Sequence, residues 1–199
     1  MERCKNHVVL CGTMLGDPVY SHSLYGEAFY SCTLSVPRLS GVEDRLPVTV
    51  SERLLCACPV QEGRIAVTGQ LRSYNRQTEG ANRLILTVFA QSLEPGAEPC
   101  NEILLTGYLC KPPVYRVTPF SREISDLLLA VNRPYNKSDY IPCICWGRNA
   151  RFAGTLCVGA CISAVGRIQS RVYQKRFEDG TAVERTAYEV SVGTIEVLP

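Results

Sequence analysis

Between Gly166 and Gly180 the chain reads Gly-Arg-Ile-Gln-Ser-Arg-Val-Tyr-Gln-Lys-Arg-Phe-Glu-Asp-Gly. Side chains of an extended strand alternate, which puts Arg167, Gln169, Arg171, Tyr173 and Lys175 on one face and Ile168 and Val172 on the other. The first face offers cations to an anion and a ring to a flat partner. The second can be buried. Glu178-Asp179-Gly180 supplies a turn into a following strand. A solvated surface strand is the plain alternative for this stretch.

A second stretch, Asp139-Tyr-Ile-Pro-Cys-Ile-Cys-Trp146, gives the first a context. Ile141, Cys143 and Cys145 share a core face, while Tyr140, Pro142, Ile144 and Trp146 share the opposite one. An exposed aromatic face needs a cover. Nucleobases are one, since base–aromatic stacking contributes about 1–3 kcal/mol per base and tolerates any sequence. A subunit contact is another, because Trp and Tyr are enriched there too. Trp146 could also be a core residue. Rings to stack on and cations to track phosphate, in one half of the chain, form a platform for single-stranded nucleic acid. Protein–protein contacts deplete lysine at their centres, so Arg167, Arg171, Lys175 and Arg176 favour nucleic acid over a docking surface.

Composition excludes several alternatives. The 199 residues carry a net charge of +2, with 46% hydrophobic and 20% charged residues, as in an ordinary soluble protein. Residues 1–99 hold nine Lys/Arg against ten Asp/Glu and residues 100–199 hold twelve against nine, so an anion-binding surface should lie mainly in the second half. His7 and His22 are the only histidines, and neither sits in a hydrolase, zinc or nucleotide-binding motif. Glu43-Asp44 reads as a turn and not as a magnesium site. Catalysis, a bound cofactor and a small-molecule substrate are therefore not expected. The eleven cysteines form no Cys-x-x-Cys, and Cys56/Cys58 and Cys143/Cys145 read as small buried hydrophobes instead of metal ligands. An odd count with no signal peptide indicates a reduced, cytoplasmic protein. The apolar run over 152–165 is too short for a membrane span and is broken by glycines.

The elements that must position these residues come in two copies. Asn6 and Gly12 recur as Asn101 and Gly107, ninety-five residues later. At the same offset Pro18-Val19-Tyr20 recurs as Pro113-Val114-Tyr115, Arg38 as Arg133, Asp44 as Asp139, and Pro47 as Pro142. This is an internal duplication. The polar Pro/Gly segment 95–100 is the expected linker between a unit over 1–94 and a unit over 101–199. Unit one reads as strands at 7–15, 28–37, 45–51, 64–75 and 83–92, with a short helix near 52–58. Unit two reads as strands at 102–110, 123–132, 139–146, 161–175 and 184–197, with a helix near 148–154. The expectation is an all-β protein with one short helix per unit, built as two tandem five-stranded OB-fold barrels. That fold binds oligonucleotides across strands two and three and the neighbouring loops. Gly12 and Gly107 suit the sharp bend of a long first strand.

Asn101-x-x-x-Leu105-x-Gly107, Pro113, Val131-Asn-Arg133, Tyr140 to Ala150, Gly166 to Tyr173 and the closing Tyr188-Glu-Val-Ser-Val resemble the bacterial single-stranded DNA-binding protein family. The resemblance covers nearly all of unit two. It is weaker in unit one, carried by Asn6 to Gly12, Pro18, Val36-Pro-Arg38 and Gly69 to Tyr74. It implies base stacking on Tyr140, Trp146 and Tyr173, with Arg148, Arg167 and Arg171 near phosphate. Unit one has Arg45 and Ser51 in place of Tyr140 and Trp146, so its aromatic platform is expected to be largely lost. Gln70, Arg72, Tyr74 and Arg76 remain on one strand face and could still hold backbone. The implied function is sequence-independent binding and protection of single-stranded DNA in replication, recombination or repair, in a cytoplasmic, nucleoid-associated protein. The alternative is an OB-fold paralogue that docks on proteins of a replication, primosome or mobile-element complex. Most members of the family this chain resembles carry one barrel per chain and assemble as tetramers, so the resemblance implies that this two-barrel chain forms a homodimer presenting four. The sequence ends at Pro199 directly after the last strand, so recruitment of partners through an acidic tail is not expected.

Overall fold

A computed structural model describes residues 5–58, 63–78, 81–176 and 180–199, and of residues 78, 81, 82, 175 and 176 the backbone alone. The side chain of Lys175 and the turn residues Glu178 and Asp179 thus lie outside the described residues.

Unit one contains β1 (Asn6–Leu24), β2 (Glu27–Pro37), β3 (Glu43–Ser51), α1 (Glu52–Ala57), β4 (Arg64–Thr78) and β5 (Ala81–Gly96). Unit two contains β6 (Cys100–Leu109), β7 (Val114–Val117), β8 (Glu123–Arg133), β9 (Lys137–Trp146), α2 (Arg148–Ala153), β10 (Cys161–Arg176) and β11 (Ala182–Val197). Only 97–99 separate the last strand of one set from the first of the other.

Each set closes on itself. In unit one β1 pairs with both β2 and β4, β2 with β3, β3 with β5 in parallel, and β5 with β4. In unit two β6 pairs with both β8 and β10, β8 with β9, β9 with β11 in parallel, and β11 with β10. Both are OB-fold barrels, as the strand and helix order implied. The cores follow from alternation. Leu127, Leu129 and Val131 of β8 and Ile141, Cys143 and Cys145 of β9 point inward, as do Leu34, Val36, Leu46, Val48 and Val50 in unit one.

The first strands must turn sharply to serve two partners. β1 pairs with β4 up to Thr13 and with β2 from Thr13 onward, and the bend falls at Gly12. A Cβ there would run into the Ser35 carbonyl oxygen, and one on Gly107 would stand 2.6 Å from that of Ala130. Glycine is required at both places by this close approach.

The duplicated asparagines also have a structural task. The Asn6 side chain exchanges two hydrogen bonds with the backbone of Leu71, at 2.8 and 2.9 Å. Asn101 does the same with Ile168, at 2.7 and 2.9 Å. Each amide thereby continues a ladder where its strand ends.

β1 and β6 pair antiparallel and join the barrels in one eleven-stranded sheet. Val8 lies opposite Ile103, its own counterpart in the duplication. A pseudo-twofold axis therefore passes through that pair, and each unit meets the other as its near-copy.

Five features depart from the sequence expectation. Glu43 and Asp44, read as a turn, begin β3, with Asp44 buried against donors of unit two. Cys56, read as a buried hydrophobe, lies exposed on α1, none of whose residues is buried. β7 was not anticipated. In unit one the chain runs on through Asp17-Pro18 with a bulge between Leu15 and Val19, whereas Pro112-Pro113 in unit two removes two donors and splits off a separate strand. Val172 was expected to be buried and is exposed, because β10 outruns β6 after Gly166 and projects with β11 as an arm. Ile144 was expected on an open face and is buried, under groups contributed by β8, β10 and β11.

Candidate nucleic-acid interface

Trp146 ends β9, opposite Ile124 of β8, with its ring partly exposed. Gly147 follows at φ +54 and starts α2 without a side-chain cap. The matching position in unit one is Ser51, whose hydroxyl accepts a hydrogen bond from Leu54 N–H at 3.4 Å and caps α1. The same strand end thus carries a helix cap in one unit and a free indole in the other.

The indole borders an open groove of about 500 Å³ that also exposes Arg38, Arg122, Arg167, Ser170 and Arg171. Four guanidinium groups on one ring-walled groove form a cationic channel with a stacking surface. A second hollow continues beyond Trp146 and Arg171 towards Arg116, which pairs with Asp126 at 2.8 Å. Tyr173 stands on the β10 arm, with the Arg171 guanidinium 5.7 Å from its ring centre. This cation–π contact holds one of the groove's cations beside a ring.

Two of the arginines also bind the units together. Asp44 of β3 is fully buried and accepts hydrogen bonds from Ser170 N–H at 2.8 Å and from Arg38 Nε at 2.7 Å. Arg167 Nη1 lies 3.4 Å from the same carboxylate. Across the pseudo-twofold, buried Asp139 accepts from Ser73 N–H at 2.6 Å and pairs with Arg72 at 3.3 Å and Arg133 at 3.2 Å. Each buried carboxylate has one arginine from its own unit and one from the other. Burial lowers the pKa of Arg167, with the neighbouring Arg38 charge adding to the effect and Asp44 opposing it. Burial lowers that of Arg72 as well, against the pull of Asp139. The hydrogen bond to Asp44 raises that of Arg38.

The residues singled out from sequence are thereby separated. Trp146, Arg167 and Arg171 line one groove, and Gln169 lies beneath them. Gln169 is buried, donating to Glu189 at 2.7 Å and accepting from Arg167 at 3.3 Å. Tyr140 lies at the other end of β9, about 20 Å from Trp146 at strand spacing. Its ring is exposed, and its N–H donates to Ser73 Oγ at 2.7 Å across the unit boundary. Arg148 opens α2 and is exposed, off the groove. Arg72 accompanies Asp139, and Tyr74 lies exposed further along β4. Sequence reading missed Arg38 and Arg122 as groove residues. The Arg38/Arg133 repeat was the available signal for the first.

Unit one also carries rings, supplied by other strands. His22 of β1 stacks on Phe29 of β2 at 5.1 Å, and Phe29 lies 5.6 Å from Phe89 of β5. Tyr20 and Tyr30 meet edge to face at 6.0 Å.

Residues 100–198 match the single-strand binding protein family. Single-stranded DNA-binding protein B of Bacillus subtilis is 31% identical over 105 residues, which are 49% of this chain and 89% of that protein. The chain belongs to the single-strand binding protein family. The single-stranded DNA-binding protein of Oceanobacillus iheyensis is also 31% identical over 105 residues, of which the chain spans 63% of that protein's length. The wild-type single-stranded DNA binding protein from Thermus aquaticus superposes on all of this chain and 95% of its own, with a TM-score of 0.80 at 22% identity. That likeness extends the shared fold to unit one, where the family match does not reach. Among the described residues no helix is long and apolar enough to cross a membrane.

Proposed function

We propose that this protein binds single-stranded DNA without sequence preference and protects it. The observation that carries this reading is the groove in which Trp146 stands among Arg38, Arg122, Arg167 and Arg171. A base stacks on the indole while guanidinium groups neutralise the flanking phosphates. Tyr173, held beside Arg171, extends the path along the β10 arm, and Arg148 and the Tyr140 ring serve strand that passes beyond the groove. Arg72, Arg167 and Gln169 act chiefly by fixing the groove floor and the contact between units, since their polar groups are already engaged with protein partners. Tyr74 serves unit one. The units divide at the short connection after β5. The relatives bearing the single-stranded DNA-binding name support the ligand class.

Two copies of the chain pair to present four barrels. Support comes from β7, an end strand of the sheet order whose Val114 and Val117 are exposed. Sedimentation velocity should give twice the chain mass.

The ligand is tested by anisotropy of labelled oligothymidylate against a duplex of equal length. Preference for the single strand, with log affinity falling linearly in log salt, is expected. Equal affinity for the duplex, or none for either, would refute it.

A further inference from the structure

Cys11 of β1 and Cys100 of β6 stand directly opposite each other in the ladder that joins the two units. Among the described residues this is the one place where two cysteines face each other across paired strands. Both are free thiols, Cys11 buried and Cys100 half-buried. Thr106 N–H donates to the Lys5 carbonyl at 2.7 Å, so Lys5 and Thr106 form a hydrogen-bonded pair. Every second pair along the ladder is then of the same kind, through to Cys11 and Cys100. The Cα atoms of such a pair lie about 5.5 Å apart, within the span of a disulfide, and the two side chains leave the sheet on one face.

The surroundings leave room for the sulfurs. A Cβ on Gly96 would collide with the Cys11 sulfur, so the glycine that ends β5 makes space for it. The Cys100 thiol makes a long contact, 3.9 Å, with the Val9 carbonyl. The duplicated fold does not call for these cysteines, since the pseudo-twofold carries the pair onto Thr106 and Lys5.

We propose that Cys11 and Cys100 are a thiol modification site, which a low-molecular-weight disulfide oxidises to a staple between the two units. Cys100, the more accessible, attacks one sulfur of the small disulfide, forms a mixed disulfide and releases one small thiol. Cys11 then attacks the Cys100 sulfur, closing the Cys11–Cys100 bond and releasing the second small thiol. The two thiol protons leave with these products, and the two electrons of the pair reduce the small disulfide. Burial raises the pKa of both thiols, with Arg64 opposing and Glu98 adding at Cys11, and Glu102 and the facing thiol adding at Cys100. Both are therefore mostly protonated at neutral pH, and the exchange needs a sustained excess of oxidant. Opposed β-carbons stand about 4.5–5.5 Å apart against about 3.5–4.5 Å in a disulfide, so the closed bridge is strained and easily reduced again. While closed, it clamps the first strand of unit one to that of unit two. Arg38 of unit one reaches the Trp146 groove through that docking, so a bridged chain keeps the groove assembled.

The test incubates the dilute full chain with oxidised glutathione at mildly alkaline pH and traps free thiols with iodoacetamide in urea. Digestion without reductant and mass mapping follow. A Cys11–Cys100 link, located by fragmentation and released by dithiothreitol, is expected. The same oxidation carried out in urea should scatter the bridges, because the fold is what opposes this pair. Cys11 and Cys100 both alkylated, or each carrying glutathione, after exposed Cys56 and Cys157 have reacted would overturn the proposal, as would an equal yield of the link in urea. The bridge should also raise the urea midpoint of the parent, reversibly with dithiothreitol, and leave that of Cys100→Ser unchanged. An unraised midpoint in the bridged parent would refute the stapling. No arm of the test uses DNA, so its outcome is separate from that of the single-strand reading.

Discussion

Asp44 and Asp139 are each other's duplicate, and each sends its carboxylate into the opposite unit, to the N–H of Ser170 at 2.8 Å and of Ser73 at 2.6 Å. Both are fully buried. The exchange links two barrels that also share the β1–β6 ladder, and it gathers arginines of both units around each carboxylate. The same contact therefore holds the fold together and shapes the cationic grooves.

Replacing Asp44 by Ala leaves Ser170 N–H unpaired and two arginines uncompensated. Hydrogen bonds to charged groups are worth about 1.5–3 kcal/mol each, and with those from Ser170 and Arg38 both lost a fall of about 3–6 kcal/mol in unfolding free energy is expected. Urea denaturation measures it. A variant as stable as the parent would show that the carboxylate contributes little to the junction.

The groove cations that have no ion pair among the described residues, Arg122 and Arg171, should behave differently from the junction cations. Arg122→Gln and Arg171→Gln should each weaken DNA binding and reduce the salt slope by about one. Arg72→Gln should mainly lower stability, because its guanidinium is engaged with Asp139. Equal salt slopes across all three variants would contradict this division.

Removing both Trp146 and Tyr173 should cost about 2–6 kcal/mol of binding if each ring stacks on a base. Equilibrium titration at fixed salt reads the loss. Unchanged affinity in the folded double variant would place the strand elsewhere.

Much of the fold was legible because its cause is local. Alternation marked the strands, the repeat marked two units, and Gly12 and Gly107 marked the bends that close the barrels. β7 was not legible, since whether Asp17-Pro18 bulges a strand or Pro112-Pro113 breaks it depends on the partner strand's register. The candidate groove was legible in part. Trp146 and Arg171 declared themselves by residue type on strand faces, and both line it. Arg38 and Arg122 did not, because they reach the groove only through the packing of units and loops. Gln169 sat on the right face of the right strand, yet Glu189 and Arg167 cover it, and strand periodicity carries no record of such cover.

The thiols offer a check on the unit-two core. Burial pushes the Cys145 pKa up to about 12 and raises that of Cys143 as well. The thiolate is the reactive form, so both should resist alkylation at neutral pH until the protein unfolds, while exposed Cys56 and Cys157 react first. Peptide mapping after brief iodoacetamide treatment shows the order. Early modification of Cys143 would contradict the placement of β9 in the barrel.

The central claim is that bases stack at the Trp146 groove. Titration with oligothymidylate at several salt concentrations, following emission from this single tryptophan, tests it most directly. The account predicts strong quenching that saturates, with affinity falling steeply as salt rises. Tight binding by anisotropy with unchanged emission, or no binding at low salt, would contradict it.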